Sequence, residues 1–298
     1  MCRPPDFLII GAMKCATTTL HKQLASLPGL YMSRPKELYF FSHDGIYRKG
    51  MTWYLSFFEA AASTAFRGES STSYTKLPTY SHTVERIQKN LPEIKLVYSM
   101  RHPIDRLISQ YKHEITQRII PKSMDINQAI VQYPQLIQYS LYAMQIEPYL
   151  EAFGQEKILP LFSERLRIHP QEEIERICRF IGYEGKPNWN PEVEYLNVSE
   201  KRRMEIPALN FFAQSPYFQP IRRYLIPGKM RDWLRGFITA DIKKPVIAPK
   251  EMNRLRKCFD DDLNLLGSWL GVDLNCANFK AVVRENPLKW TQAAGIQS

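Results

Sequence analysis

The sequence predicts an α/β fold, a parallel β-sheet flanked by helices, and three stretches carry that prediction. Phe7-Leu8-Ile9-Ile10, bounded by Pro5 and Gly11, is a short apolar run suited to a buried strand, and Leu20, Leu24 and Leu27 follow at helical spacing. Ile94 to Met100 is a second such run, and Ile104, Leu107, Ile108, Tyr111 and Ile115 repeat behind it at helical spacing. Lys157 to Phe162 is the third, with Pro160 favouring an edge or interrupted strand. Strands alternating with helices are the pattern of a parallel sheet.

Taken in order, the first strand leads into a turn with one lysine, Lys14, and then three hydroxyls, Thr17, Thr18 and Thr19. A helix starting there offers unpaired N–H groups and the positive end of its dipole, and Lys14 adds a full charge. This cradle suits a phosphate or sulfate ester. It is not G-x-x-x-x-G-K-[ST], because Lys14 precedes the hydroxyls by three residues and no second glycine sits beside it. The plain alternative is an ordinary strand–helix connection with a surface lysine.

The second strand closes on Arg101-His102-Pro103, with Pro103 placed as a first helical residue. Ser109 falls off the apolar face, with Asp105 and His113 one turn away on either side. Arg101 sits at the strand's C-terminal end, where α/β sheets bind ligands. Val84, Ile87 and Leu91 predict a helix before this strand, and the stretch Tyr133 to Tyr149 includes another. Trp53, Tyr54, Phe57 and Phe58 have helical spacing that fits core better than a substrate platform. Residues 187–249 are proline-rich and weakly periodic, the signature of long loops with short helices. Met252, Leu255, Phe259, Leu263, Leu266 and Leu270 predict a last helix.

Composition narrows the function. The chain has 298 residues, enough for one large domain, and 40 basic against 30 acidic residues give it a charge of +10. A polyanionic ligand follows. The charge is dispersed and no nucleic-acid-binding signature accompanies it, so nucleic acid is not expected. Five scattered cysteines without metal-ligand spacing argue for a reducing compartment, against a disulfide framework and against a metal site. Cys15 sits where a helix N-terminus and Lys14 would lower its pKa, or is merely a small residue the turn tolerates. No stretch has transmembrane length and no signal-peptide pattern opens the chain, so a cytoplasmic location is expected. Asn197-Val198-Ser199 reads as a chance sequon.

Met13-Lys14-Cys15-Ala16-Thr17-Thr18-Thr19-Leu20 resembles the P-K-x-G-T-T-x-L phosphosulfate loop of the sulfotransferases that use 3′-phosphoadenosine 5′-phosphosulfate (PAPS). Alanine stands at position 16 where the family has glycine, which is costly only if φ there is positive. Arg101-His-Pro-Ile-Asp-Arg106-Leu-Ile-Ser109-Gln-Tyr111 resembles the family's R-x-P-x-x-R-x-x-S-x-Y, whose arginine and serine hold the donor's 3′-phosphate. Lys36-Glu37-Leu-Tyr-Phe40-Phe41 and Gly50-Met-Thr-Trp53-Tyr54 resemble segments of the heparan-sulfate-type branch, as does Glu69-Ser70-Ser71-Thr72-Ser73-Tyr74. That last pattern is E-K-[ST]-x-x-Y, so Ser70 replaces a lysine that assists transfer.

The resemblance covers nearly the whole chain, with its specific motifs in residues 7–115. It implies a soluble member, bacterial or cytosolic, with a P-loop-like fold and one domain over 1–298. Within it, the nucleotide-binding core spans about 5–185, a loop-rich region covering the cleft about 186–250, and a C-terminal helix about 250–271. It implies transfer of a sulfuryl group from PAPS, leaving PAP, to a hydroxyl or amine of a glycan or small molecule, without metal. The donor then rests on Gly11, Lys14, Cys15, Ala16, Thr17, Thr18 and Thr19, with Arg101, Ser109 and Arg203 completing its site. Glu37 is the implied general base, or else a solvated carboxylate paired with Lys36. Lys14 stabilises the departing phosphate, and Lys36, Ser70, Tyr74 and His113 line the acceptor side, with His113 equally a surface residue. A kinase or hydrolase with a degenerate loop, and a non-catalytic polyanion-binding module, are the alternatives. Oligomeric state is left open.

Overall fold

The computed structural model describes residues 3–194 and 245–291. Strand β1 (Phe7–Gly11) is followed by α1 (Thr17–Ala25), β2 (Leu30–Met32), α2 (Asp44–Tyr47), α3 (Gly50–Ser56) and β3 (Phe66–Ser70). A 3-10 turn (Thr72–Thr75) leads to α4 (Thr83–Asn90), β4 (Lys95–Met100) and α5 (Pro103–Thr116). Then come α6 (Ile126–Gln132), α7 (Gln135–Gln138), α8 (Tyr142–Phe153), β5 (Ile158–Phe162), α9 (Ser163–Ile168), α10 (Pro170–Ile181) and α11 (Pro191–Glu194). Beyond residue 244 the described elements are α12 (Pro249–Leu270) and α13 (Phe279–Glu285).

The five strands form one parallel sheet in the order β2-β3-β1-β4-β5. Both faces are covered, which explains why β1 is apolar without alternation. Leu8 and Ile10 pack with Phe40, Phe41, Tyr54 and Phe58 and with side chains of α4, α8 and α12. Phe7 and Ile9 pack on the other side with Leu20 and Leu24 of α1 and Ile174 and Ile177 of α10. A third cluster joins Ile104, Leu107, Tyr111 and Ile115 of α5 to α6, α7 and α12. Ile108, read from the sequence as part of the buried stripe, is only half-buried at its margin.

Pro160 lies in β5, an edge strand, which tolerates the missing N–H. Pro103 is the first residue of α5, as its fixed φ favours. Trp53, Tyr54, Phe57 and Phe58 are core aromatics: Tyr54 stacks on Phe40 at 4.7 Å between centroids. The region 195–244, with the sequon and Arg203, lies outside the described residues, as does Cys2.

The chain leaves β1 towards β2 on one side and leaves β4 towards β5 on the other. Beyond the carboxyl ends of β1 and β4 such a switch opens a crevice, where open α/β sheets bind ligands. The Lys14 turn and Arg101 both lie there.

Candidate active site

The turn after β1 is stitched to β4 before any ligand arrives. Ala12 N–H donates to the Ser99 carbonyl at 2.7 Å, and Ser99 Oγ donates to the Cys15 carbonyl at 2.7 Å. Lys14 and Ala16 both have left-handed backbones, with φ of 73° and 63°. Such alternation turns successive N–H groups towards one point, and α1 begins just after it with no side chain capping its N-terminus. Ala16 therefore takes the costly conformation that glycine would take freely.

Cys15 corrects one sequence alternative. Its thiol is fully buried, 3.8 Å from the Tyr142 hydroxyl, and burial pushes its pKa up to about 12 despite Arg106 nearby. It is not a reactive thiolate, and its N–H is spent on the Ala12 carbonyl at 3.2 Å. Among the sequence-picked loop residues, Cys15 thus contributes shape rather than a donor.

Arg101 follows β4 directly. Its backbone is clamped by Tyr142, whose hydroxyl donates to the Arg101 carbonyl at 2.6 Å and accepts from its N–H at 3.2 Å. The guanidinium itself has no hydrogen-bond partner among the described residues. Ser109 lies two turns along α5 and is only 7% exposed. Half-buried His113 is one turn further on that face. Arg106, the other arginine of this stretch, is a staple: fully buried, it donates to Ser140 Oγ, to the Leu136 carbonyl and to Gln110 Oε1.

Glu37 sits beside the end of β3. Its N–H donates to the Ser70 carbonyl at 3.0 Å, and its Oε2 accepts Thr72 N–H at 2.8 Å. Thr72 Oγ1 donates to it as well, and Lys36 Nζ forms a very short ion pair with its Oε1. Glu37 and Tyr39 both have positive φ, 67° and 57°, so this loop is held by its bonds rather than by preference. Glu37 is thus the paired carboxylate of one reading, but half-buried and fixed, not a mobile solvated one.

Ser70 and Tyr74 do not face a cleft, which corrects their placement on the acceptor wall. Both are buried: Tyr74 packs against Phe41 and donates its hydroxyl to Glu69 at 2.9 Å. The Ser70 hydroxyl has no partner among the described residues.

Sequence reasoning overlooked Glu69 itself. It is fully buried in β3 and accepts from three hydroxyls: Tyr54 at 2.8 Å, Tyr74, and Ser71. Burial raises its pKa to about 7, the three hydroxyls pull it back, and the Glu37 charge adds to the rise. The signal was present, since a lone glutamate followed by Ser70, Ser71, Thr72 and Ser73 is a carboxylate supplied with donors. Lys76 was also overlooked. It ends the same 3-10 turn, its ammonium lies 5.6 Å from the Tyr139 ring centroid, and burial lowers its pKa.

A parallel sheet with an uncapped, left-handed turn and the Arg101 side chain at its switch point is an arrangement with which α/β proteins bind phosphorylated ligands. The sequence pattern of the sulfotransferase domain family matches residues 4–265, and the chain belongs to that family. The bifunctional heparan sulfate N-deacetylase/N-sulfotransferase 2 of Mus musculus is 30% identical over 203 residues, covering 60% of this chain and 22% of that protein. The membrane-associated sulfotransferase kil1 of Dictyostelium discoideum is 32% identical over 114 residues, covering 37% and 23%. The chain therefore spans less than a quarter of the length of these curated relatives. A crystal structure of a sulfotransferase from Alicyclobacillus acidocaldarius shares the fold, with a TM-score of 0.55 and 22% identity over 73% of this chain and 92% of that one. Among the described residues no helix is long and apolar enough to cross a membrane.

Proposed function

We propose that this chain transfers a sulfuryl group from PAPS to a hydroxyl or amine of a glycan or small-molecule acceptor. The observation that carries this reading is the left-handed, uncapped turn at Lys14–Thr17 at the carboxyl end of β1, next to the end of β4 where Arg101 stands with no hydrogen bond to its guanidinium among the described residues. Membership in the sulfotransferase family supplies the chemistry of the ligand. The donor brings the sulfuryl group; the protein binds, aligns and moves the proton.

In this reading the turn from Gly11 to Thr19 receives the 5′-phosphosulfate. Arg101 forks the 3′-phosphate and Ser109 adds a hydroxyl bond. Arg203 is retained in the proposal, though it lies outside the described residues. Glu37 takes the proton of the acceptor, and Lys14 offsets negative charge on the leaving phosphate. Lys36 and His113 flank the acceptor; Ser70 and Tyr74 support that wall from behind. The name of the mouse relative, a heparan sulfate N-sulfotransferase, makes a glycan amine the first acceptor to try. Buried thiols at Cys15 and Cys178, both unbridged, support a reducing, cytoplasmic location. We take residues 1–298 as one sulfotransferase domain.

Calorimetry and thermal melting test the donor. PAP should bind and raise the melting temperature without added metal, and ATP with magnesium should do neither as well. Equal or better binding of ATP with magnesium overturns the reading. Turnover of labelled PAPS with de-N-sulfated heparin and with p-nitrophenol then sorts glycan from small-molecule acceptors.

A further inference from the structure

One phenol stands against both ends of the crevice floor. The Tyr142 hydroxyl donates to the Arg101 carbonyl at 2.6 Å and accepts from the Arg101 N–H at 3.2 Å. Cys15 Sγ, in the middle of the turn after β1, lies 3.8 Å from the same oxygen. Burial pushes the Tyr142 pKa up, so the phenol stays protonated and keeps its bond to the carbonyl.

Other groups hold the neighbours of Arg101. Ser99 is bonded to the turn through the Ala12 N–H and the Cys15 carbonyl, and the His102 N–H donates to Glu164 Oε1 at 2.9 Å. Residue 101 itself lies beyond the end of β4 at Met100, and Tyr142 takes up both of its main-chain groups. That fixes the backbone from which the Arg101 side chain departs, and with it the rotamers open to the guanidinium. Tyr142 is anchored in turn. Fully buried, it is the first residue of α8, and the next two N–H groups, of Ala143 and Met144, donate to the Asp262 carboxylate of α12 at 3.0 and 3.1 Å. A cap of this kind satisfies unpaired N–H groups and fixes where the helix begins.

We propose that Tyr142 is a positioning residue for the sulfuryl donor: it sets the distance between the turn at Cys15 and the Arg101 side chain, and Asp262 holds it there. The inference rests on the reading of these two places as the 5′- and 3′-phosphate sites. A bisphosphate gains fully from two anion sites only when their separation matches its own. A protein in which that separation is fixed tells PAP, adenosine 3′,5′-bisphosphate, from its 2′,5′ isomer, although the two carry the same groups. Without the hydroxyl, each site still attracts a phosphate, but the preference between isomers decays.

Equilibrium binding of three nucleotides to the full chain reads this distance without any acceptor. Wild type should bind PAP at least about tenfold more tightly than the 2′,5′ isomer, the worth of one charge-assisted contact. Tyr142→Phe keeps the ring and removes only the hydroxyl. It should weaken PAP about tenfold and leave the 2′,5′ isomer and adenosine 5′-monophosphate within about twofold of wild type. In an Arg101→Ala background the same change should cost PAP less than about twofold, because the side chain it aims is gone. A loss spread evenly over all three nucleotides makes Tyr142 structural and overturns the proposal, as does an undiminished preference for PAP in Tyr142→Phe. A wild type indifferent to the isomer overturns it without any variant. Should Tyr142→Phe not fold, Asp262→Asn takes its place: the preference should narrow about threefold, and an unchanged preference refutes the positioning. The wider reading is judged apart. Wild type that binds no PAP refutes the donor site and the inference with it, whereas PAP binding that falls in Arg101→Ala and not in Tyr142→Phe refutes the inference alone.

Discussion

The two halves of the crevice are built on opposite plans. On the β1–β4 side, groups are left open: α1 lacks a capping side chain, the Arg101 guanidinium has no hydrogen-bond partner among the described residues, and two residues hold left-handed backbones. On the β3 side, the two carboxylates are saturated: Glu37 accepts from Thr72 and Lys36, and Glu69 from three hydroxyls. A surface that must take up an anion needs unspent donors, whereas a group that must act on a proton needs a fixed position. The saturated side is the better ordered in advance and the open side gains most from its ligand.

The sharpest test of this contrast is Glu37→Gln, which keeps shape and removes the base. Steady-state kinetics should show kcat lower by a factor on the order of 10² to 10⁴, with donor binding nearly unchanged. A mutant turning over within a few-fold of wild type would make the saturated side merely structural. Next is the standing cost of the buried carboxylate. Because folding raises the Glu69 pKa from 4.5 to about 7, the folded state keeps a proton that the unfolded chain has released. Stability from this group is therefore present below pH 4.5 and lost as pH rises through 7, by on the order of 3 kcal/mol. Denaturant titrations from pH 4.5 to 8 should show that slope in wild type and not in Glu69→Gln; parallel curves remove the claim.

Arg101→Ala addresses the open side. It should weaken PAP binding by about 2 kcal/mol, because the lost guanidinium contact is charge-assisted but only half-buried. An analogue lacking the 3′-phosphate should bind mutant and wild type alike, and equal weakening of both ligands would make Arg101 structural. The smallest effect is expected at Ala16→Gly. Relief of the left-handed alanine, less the extra chain entropy of glycine, should stabilise the protein by about 1 kcal/mol or less. A lower melting temperature would mean that Ala16 carries no strain worth removing.

The open side was legible in the sequence and the saturated side largely was not. Strands β1 and β4 sit inside the sheet and are written in apolar residues, and each is followed by a helix with a clean stripe. The residues proposed to meet the donor lie at fixed offsets from those strands. By contrast β3 reads Phe66-Arg67-Gly68-Glu69-Ser70, which no hydropathy pattern marks as a strand, although four of its five residues are buried. Arg67 and Glu69 are there because partners distant in sequence satisfy them: Arg67 donates to the Arg3 carbonyl, and Glu69 accepts from Tyr54. β2, three residues long, carries too little pattern to detect. Ser70 and Tyr74 were put on the acceptor side by the resemblance alone, and with β3 unmarked nothing in the sequence showed that they are buried.

Gly11 joins the two halves. A methyl group there would stand 1.9 Å from Thr75 Oγ1, and that hydroxyl instead donates to the Ile10 carbonyl at 3.0 Å. The turn that begins with Thr72, the anchor of Glu37, thus rests at its far end directly on the last residues of β1, where the phosphate loop begins. The span between proposed base and proposed donor site is consequently set where the Thr75 side chain sits on the main chain of Ile10 and Gly11. Alleles that alter loop chemistry on either side can leave that span intact. A single methyl at Gly11 would change it for every substrate at once.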